Sequence, residues 1–394
     1  MNPVRVANFL LVFGLSLAPV AATAAPASVK ASPKPARHSP AKLRKVHAKI
    51  VTGSPHVHAV PAAPAPSVDA GFNADVAKIL KRARPHEGAV VVSDVKTGRI
   101  LAWTSLGDRD MVSTPVAPAA SVFKIATAAT LLEKNHTLPT TRACYQGGES
   151  GFTAEDLATG SGKHAGDSCA SLGEALGKSI NLVFAKLAVE RSTPEDLRET
   201  ATNLGFLGPV LADRPLTDSR LRIADDRYGF ARSATGFWNG KVAPVSVLAA
   251  LTTIANDGVR IKLQTASKDP EREELGEAIS EKTAHSLTRM MVGGTRFGTS
   301  KKVFFPDEGP ALPGIRVAGK TGTLIGGHPT RMYSWFGGFA PAEKPEIAIV
   351  VLLADDVSWT KKGNEVARDV LQRWFHVTPK SATPKPASVG AHKS

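Results

Sequence analysis

The sequence predicts an α+β fold, and the order of its apolar segments is the main reason. Residues 88–95 and 99–105 are two apolar runs joined by a Gly-containing turn, which is typical of a β-hairpin. A largely helical middle follows, and three further β-type runs and a last helix complete the pattern. Strands at both ends of a helical region indicate α+β layering.

The remaining elements follow from periodicity and from start signals. Pro118 precedes the first helical segment, as expected near the start of a helix. The predicted helices cover residues 121–133, 172–190, 194–204, 244–256, 280–292 and 364–375. The predicted strands that follow the helical middle cover residues 315–323, 333–339 and 346–353.

The net charge of +14 belongs to the flanks of the chain. Residues 28–68 hold seven Lys or Arg and no acid, residues 377–394 hold three, and Arg5 adds one. Residues 69–376 therefore carry a net charge of only +3. A nucleic-acid-binding domain would present its basic residues on a folded face, so this distribution disfavours nucleic acid as a partner.

Residues 1–27 are typical of an export signal. Arg5 forms a basic n-region, Phe9 to Val20 form an apolar run, and small residues around Ala25 form a cleavage site. The alternative is an uncleaved membrane anchor, because about 20 mostly apolar residues can span a bilayer. No cysteine follows the run, so a lipoprotein anchor is not expected. Both alternatives place the rest of the chain in the periplasm or cell envelope.

Two segments are predicted to be disordered because their composition buries little apolar surface. They are the linker 28–68, rich in Ala, Pro, Lys and His, and the basic tail 377–394. The linker is either a bare spacer or a spacer in weak contact with anionic envelope polymer, and we favour the bare spacer. Between these flanks, residues 69–376 are predicted to form one domain.

The predicted export bears on the oxidation state of the two cysteines. Cys144 and Cys169 are the only pair in the chain, and a disulfide between them would close a loop of about 25 residues. An oxidising compartment favours this bridge over two free buried thiols. A metal site is favoured still less, since no histidine lies at ligand spacing beside them.

One Ser-x-x-Lys sequence lies at a predicted helix start, at Ser121 and Lys124. Helix positions i and i+3 share a face, so the lysine amine is expected beside the serine hydroxyl. Such an amine is a base only when burial or nearby positive charge lowers its pKa. The apolar neighbours Val122, Phe123 and Ile125 favour that interpretation over an ordinary surface pair.

Two further short motifs fit the same chemistry. Ser179 of Ser-Ile-Asn is a candidate proton relay, and Asn181 could hold Lys124 and a substrate amide. Lys320-Thr321-Gly322-Thr323 is predicted to end an apolar strand, where the ammonium and hydroxyls could bind a carboxylate. The glycine would let the backbone come close to a ligand.

Together these motifs resemble the signature of penicillin-binding protein transpeptidase domains and serine β-lactamases. Further similarity to the transpeptidase branch lies in residues 90–102, 243–249 and 319–341, and the resemblance covers roughly residues 74–375. It implies a five-stranded antiparallel sheet flanked by helices beside an all-helical subdomain.

The resemblance also implies an activity and residue roles. Ser121 would attack the penultimate D-alanine of a peptidoglycan stem peptide, with Lys124 as base and Ser179 as proton relay. Asn181 would orient Lys124 and the substrate. Lys320, Thr321 and Thr323 would hold the terminal carboxylate, and β-lactams would acylate Ser121 as covalent inhibitors. No cofactor or metal belongs to this interpretation.

Four functions remain open at this point. A D,D-transpeptidase is preferred, and a D,D-carboxypeptidase uses the same residues. A serine β-lactamase of class A would need a deacylating glutamate, and Glu199 is misspaced for that role. A non-catalytic penicillin sensor would retain the same site.

The sequence departs from the family pattern in two places. Only a linker precedes the domain, and the segment from Cys144 to Cys169 matches no family element.

Overall fold

A computed structural model of the chain describes residues 69–378, apart from residues 149–150, 214–215, 238–239, 266–270, 328 and 357. Its strands are β1 (Glu87–Asp94), β2 (Ile100–Leu106), β3 (Arg142–Tyr145), β4 (Ser168–Ser171), β5 (Arg220–Leu221), β6 (Gly240–Lys241), β7 (Val259–Ile261), β8 (Glu274–Glu277), β9 (Ala318–Gly326), β10 (Arg331–Ala340) and β11 (Ile347–Asp355). Its α-helices are α1 (Ala70–Ala83), α2 (Lys124–Glu133), α3 (Ala154–Ala158), α4 (Leu172–Lys178), α5 (Asn181–Arg191), α6 (Pro194–Asn203), α7 (Arg227–Thr235), α8 (Pro244–Ala255), α9 (Glu281–Arg296), α10 (Lys301–Phe304) and α11 (Gly363–Trp374).

The predicted export segment 1–27, the linker 28–68 and residues 379–394 of the predicted tail lie outside the described residues. Over the part that is described, no helix is both long enough and apolar enough to cross a membrane.

The predicted five-stranded antiparallel sheet is confirmed. Its strand order is β2-β1-β11-β10-β9, and every neighbouring pair is antiparallel. The N-terminal hairpin therefore joins three strands from the C-terminal third, and the helical middle of the chain lies between them in sequence. This order leaves β9 at one edge of the sheet, where only its β10 side is paired with another strand of the sheet.

Both faces of the sheet are buried, which explains why its inner strands are almost continuously apolar. Val90 and Val92 of β1 lie in a core that includes residues of α1 and α11. The alternate residues Ala89 and Val91 lie in the larger core formed with α2, α5 and α8. Successive strand residues point to opposite faces, so each strand serves both cores. Full burial of each valine contributes roughly 1.5–3 kcal/mol to folding.

Two sequence predictions about the helices and strands need correction here, in addition to the start of α2, which is described with the site. The helix predicted over 172–190 is divided into α4 and α5, because Ser179 adopts a left-handed conformation with φ 64°. The N–H groups of Ser179 and Ile180 both bond to the carbonyl of Ala175 and end α4 there. Apolar periodicity continues across this break, so the pattern could not reveal it.

The second correction concerns the strand predicted over residues 315–323. The sequence placed the Lys-Thr-Gly-Thr motif at the end of strand 315–323. The observed β9 runs from Ala318 to Gly326, so the motif lies within it. Pairing with β10 extends the strand, since Leu324 lies opposite Tyr333 and Gly326 opposite Arg331.

The helical region contains short strand pairs that the sequence did not predict. They are β3 with β4, β5 with β6, and β7 with β8. Cys144 and Cys169 lie directly opposite each other on β3 and β4 and form a disulfide. The segment that they bracket therefore forms a closed covalent loop.

A buried lysine attaches this loop to α5. Lys186 is 1% exposed, and its ammonium donates to the carbonyl of Cys144 at 3.0 Å and to Thr159 Oγ1 at 2.8 Å. Burial lowers its pKa, while Asp167, Glu190 and Asp156 act in the opposite direction. The N–H of Leu182 donates to the carbonyl of Gly148 at 3.1 Å. The loop therefore packs on the first turns of α5.

The turn before α2 is held by close backbone packing. Ala120, which opens the 3₁₀ turn Ala120–Phe123, has a positive φ of 47°. Gly236 ends α7 with a φ of 86°, and a Cβ there would overlap the carbonyl oxygen of Ala120. Only glycine combines this conformation with this approach.

Removing the disulfide is expected to destabilise the fold. In the chain-entropy model, a bridge across 25 residues of sequence contributes about 3 kcal/mol. The double variant Cys144→Ala/Cys169→Ala should lose about that free energy of unfolding in urea denaturation. Wild-type protein under reducing conditions is the control and should show a similar loss. A loss below about 1 kcal/mol in both samples would contradict the chain-entropy argument.

Gly236→Ala should destabilise the protein more than an ordinary glycine replacement. Gly314 is the matched control, because it has a φ of 74° and no atom within 4 Å of the place that a Cβ would take. Gly314→Ala should cost about 1–2 kcal/mol from backbone strain alone. Gly236→Ala should cost about 1–3 kcal/mol more, from displacement of the Ala120 carbonyl. Equal losses in denaturant unfolding would show that the close packing at Gly236 is unimportant.

Candidate active site

Ser121 and Lys124 lie side by side at the start of α2. The sequence predicted a helix from Ser121, whereas the α-helix begins at Lys124 and Ser121 belongs to the preceding 3₁₀ turn. In a 3₁₀ turn, positions i and i+3 eclipse each other, which brings the two side chains close. Lys124 Nζ lies 2.6 Å from Ser121 Oγ. The hydroxyl and the amine are therefore in direct hydrogen-bond contact.

The amine of Lys124 is completely buried. Its exposed fraction is 0%, and its Nζ also lies 2.5 Å from Asn181 Oδ1 and 3.3 Å from the carbonyl oxygen of Thr235. Among the described residues, no carboxylate forms an ion pair with it. Burial lowers the pKa of Lys124 well below its usual range, and the positive charge of Lys320 lowers this pKa further. A neutral amine beside a hydroxyl can accept the hydroxyl proton.

The break between α4 and α5 directs two polar side chains to different partners. Asn181 is the first residue of α5, is 2% exposed and contacts Lys124. Ser179 ends α4, and its Oγ accepts a hydrogen bond from Lys320 Nζ at 2.9 Å. Within the described part of the chain, Ser179 makes no hydrogen bond to Ser121 or Lys124. The left-handed residue thus links the helical region to β9.

Lys320 is the second buried lysine of the site. It is 1% exposed, and besides Ser179 it donates to the carbonyl oxygen of Thr321 at 2.8 Å. Burial lowers the pKa of Lys320 to about 7. Near neutral pH Lys320 is therefore partly charged, and the burial of both lysines favours their neutral forms.

The backbone of β9 passes very close to the Ser121 turn. A Cβ at Gly322 would lie 3.1 Å from the carbonyl oxygen of Ala119 and 3.3 Å from the amide nitrogen of Ser121. A side chain at this position would push the strand and the turn apart. Glycine therefore allows the unpaired edge of β9 to border the serine.

The two threonines of β9 differ in environment. Thr321 Oγ1 lies 2.6 Å from Thr299 Oγ1, so its hydroxyl is held in place. Thr323 is exposed and, among the described residues, its hydroxyl has no hydrogen-bond partner. The structure thus joins Ser121, Lys124 and Asn181 by hydrogen bonds, joins Ser179 to Lys320, and places Gly322 against the Ser121 turn. Thr321 and Thr323 are the neighbours of Gly322 on β9.

Sequence reasoning missed several residues of the site. Thr235 supplies a carbonyl to Lys124, and the rings of Phe184 and Phe237 lie 5.9 and 5.5 Å from its amine. Thr299 positions Thr321. None of them belongs to a motif, although the glycine after Thr235 could have signalled a close backbone approach. No cluster of three or more potential metal ligands occurs among the residues that the structure describes.

The chain is similar to curated proteins from mycobacteria. It is 28% identical over 330 residues to the peptidoglycan D,D-transpeptidase PbpA of Mycobacterium tuberculosis, which covers 70% of this chain and 64% of that protein. It is 26% identical over 323 residues to PbpA of Mycolicibacterium smegmatis, covering 69% and 62%. The chain therefore spans less than two thirds of the length of these relatives.

Solved structures show the same fold. The TP domain of Burkholderia pseudomallei penicillin-binding protein 3 superposes with a TM-score of 0.66 at 23% identity, covering 81% of this chain and 98% of that one. Penicillin-binding protein A of M. tuberculosis, in an imipenem acyl-enzyme complex, superposes with a TM-score of 0.66 at 22% identity, covering 78% of both chains.

A family model also matches most of the chain. The model for the penicillin binding protein transpeptidase domain matches residues 88–374, from the first strand of the sheet to the last helix. That range includes the buried lysines, the Ser121 turn and nearly the whole of the sheet. The chain therefore belongs to the penicillin-binding protein transpeptidase domain family.

Proposed function

We propose that this chain is a D,D-transpeptidase that acts on D-Ala-D-Ala stem peptides of peptidoglycan through an acyl-serine intermediate. The observation that carries the proposal is the position of the Lys124 amine, 2.6 Å from Ser121 Oγ and 2.5 Å from Asn181 Oδ1. Its burial favours the neutral, proton-accepting form. The names of the relatives support the same activity.

Acylation follows from the contacts of Ser121. Its Oγ attacks the carbonyl carbon of the penultimate D-alanine and gives its proton to Lys124 Nζ. The backbone N–H groups of Ser121 and Thr323 are the proposed donors to the oxyanion, because β9 borders the Ser121 amide at Gly322. The terminal carboxylate would be held by Lys320 and by the hydroxyls of Thr321 and Thr323.

The second half of the reaction restores the enzyme. When the tetrahedral intermediate collapses, the C–N bond breaks and the amine of the terminal D-alanine takes up a proton. Ser179 is the proposed relay for that proton, since its hydroxyl lies within the hydrogen-bond network of Lys320. The amine of a second stem peptide then attacks the acyl ester, forms the cross-link and releases Ser121 with its hydroxyl protonated.

The structure offers no support for the class A β-lactamase alternative. Glu199 lies on α6, its side chain is 57% exposed, and it forms an ion pair with Lys134 at 2.6 Å. Lys134 follows the C-terminal end of α2, whereas Ser121 precedes its first residue. The ten residues of α2 span roughly 15 Å. This carboxylate is thus held far from the serine that it would have to deacylate.

The proposed substrate places the folded part of the chain outside the cytoplasm. We propose that residues 1–27 direct export to the periplasm or cell envelope, as a cleaved signal or as an anchor. The basic residues of the linker 28–68 would allow weak contact with anionic envelope polymer. β-Lactams would act as covalent inhibitors, in keeping with the acyl-enzyme complexes of similar structures.

Replacing Ser121 should abolish covalent labelling by penicillin. Wild type should give a stable fluorescent-penicillin adduct, and Ser121→Ala should give none. Ser358→Ala is the matched control, because Ser358 and Lys361 form another Ser-x-x-Lys sequence, in which the serine is exposed and the lysine is paired with Asp369. Wild-type protein that is not labelled, or a Ser121→Ala variant that is, would refute the proposed nucleophile.

A donor peptide and an amine acceptor distinguish a D,D-transpeptidase from a D,D-carboxypeptidase. Incubation of the full chain with a D-Ala-D-Ala peptide and a second stem peptide should yield cross-linked product. Release of D-alanine without a cross-link would instead indicate a D,D-carboxypeptidase. Rapid decay of the penicillin adduct would indicate a β-lactamase.

The pH dependence of acylation should have two limbs. The rate rises with pH through the lowered pKa of Lys124, because the neutral amine is the base. The rate falls above about pH 7, because Lys320 loses the charge that binds the substrate carboxylate. Stopped-flow acylation by penicillin and by its methyl ester separates these effects. The falling limb should be absent with the uncharged ester, and a falling limb common to both would contradict the role of Lys320.

A further inference from the structure

A cavity of about 490 Å³ lies beside the proposed active site. One wall is formed by the tip of the β9–β10 hairpin, including Leu324 and Gly326. A second wall is formed by Val116 and Pro118, just before the Ser121 turn. The third wall is the β5–β6 ribbon, which contributes Arg220 and Lys241. None of the roles proposed above uses this space.

The ribbon places two positive charges directly opposite each other. Arg220 and Lys241 are register partners in the antiparallel β5–β6 pair, and both are exposed. Like charges at such positions destabilise a strand pair. Among the described residues, neither side chain forms an ion pair or a hydrogen bond. The two cations thus repel each other without a compensating acid in that part of the chain.

The ribbon is nevertheless fixed in position relative to the nucleophile. The residue after Lys241, Val242, donates its N–H to the carbonyl of Ala117 at 2.9 Å. Ala117 is four residues before Ser121 in the chain. The close approach of Gly240 to Leu221 keeps the two strands of the ribbon tightly paired. The cationic pair is therefore part of the wall of the cleft and not a loose surface feature.

Other charges that line the cavity are already paired. The Arg109 guanidinium lies 2.9 Å from a carboxylate oxygen of Glu87, and Arg331 forms an ion pair with Asp356. Of the described residues that line the cavity, Glu87 is the only acid. Arg220 and Lys241 thus leave this cavity with an uncompensated positive potential, which an anion would relieve.

The unpaired edge of β9 leads from the nucleophile to this cavity. Extended peptides bind sheet edges by adding a strand, and β9 is an edge strand. From Gly322, which borders Ser121, to Gly326, which lines the cavity, the strand spans roughly 13 Å at about 3.3 Å per residue. A bound peptide would therefore reach the cavity a few residues away from its acylated residue.

The geometry points to a carboxylate subsite formed by Arg220 and Lys241 for the donor peptide. The carboxylate is carried by one of the first three residues before the D-Ala-D-Ala unit, and it lies between the two cations. This assignment deepens the proposed transpeptidase function and rests on it. It makes the enzyme selective for acidic over neutral stem peptides.

Matched donor peptides test this selectivity. Each ends in D-Ala-D-Ala and carries Glu or Gln at the first, second or third preceding residue. The full chain is assayed with each donor and a fixed neutral acceptor peptide, and the rate of D-alanine release gives kcat/KM for the donor. Wild type should prefer the Glu peptide about tenfold at one of these positions, as expected for an added charge contact. This preference should weaken as ionic strength rises.

Charge-removing variants locate the preference in the ribbon. Arg220→Gln and Lys241→Gln should each reduce it to about threefold, and the double variant should abolish it. Lys344→Gln is the matched control, because Lys344 is exposed in the turn after β10, at the opposite end of that strand from the cavity. It should leave the preference unchanged.

Penicillin separates failure of this subsite from failure of the proposed function. All Gln variants should still be acylated by benzylpenicillin at the wild-type rate, since its only carboxylate takes the place of the terminal carboxylate and its acyl side chain carries no charge. An altered rate would show that a Gln variant disturbs the Ser121 turn. In that case Arg220→Lys and Lys241→Arg test the subsite instead, because they keep the positive charge and should therefore keep the preference for the Glu peptide.

Three results would overturn the subsite. Wild type could release D-alanine equally from Glu and Gln donors, or the double variant could retain the full preference. The preference could also appear only when the acceptor peptide carries the carboxylate, which would assign the cations to the acceptor. Absence of D-alanine release from every peptide would instead refute the transpeptidase proposal itself.

Discussion

The burial of an unpaired lysine amine is the constraint on which the rest of the site depends. Lys124 is fully enclosed, and an ammonium in that place would lack any carboxylate partner among the described residues. The protein therefore favours the neutral amine, which is the form able to take a proton from Ser121. The amide of Asn181 and the carbonyl of Thr235 fix the amine in position. Several distant parts of the chain must pack together to create this environment.

The second buried lysine of the site, Lys320, affects the pKa of Lys124. Lys320 reaches the site from β9, and its charge further lowers the pKa of Lys124. Because Lys320 is itself buried, its own pKa is lowered to about 7. The sheet and the helical region thus each contribute one buried amine. Ser179 and the carbonyl of Thr321 hold Lys320 in place by hydrogen bonds.

Most of the fold could be predicted from the sequence, because its strands and helices have strong apolar patterns. The break at Ser179 could not be predicted, since a left-handed residue leaves no trace in apolar periodicity. The extension of β9 beyond Thr323 depends on pairing with β10, which is a tertiary effect. The candidate site was predictable where its residues lie in short motifs. Thr235 contributes only a carbonyl and Gly236 only the absence of a side chain, so their roles become visible only after the chain is folded.

The strands of the sheet come from the two ends of the folded region, and this has a consequence for how the chain folds. The β1–β2 hairpin emerges early, but β1 pairs with β11, in which Ala354 lies opposite Glu87. Until the C-terminal strands are available, the edge of β1 that pairs with β11 stays without its partner. Contacts this distant in sequence fold slowly and expose the nascent chain to aggregation. Chaperones that shield early β-strands should therefore matter more for the yield of this protein than for that of a domain with local contacts.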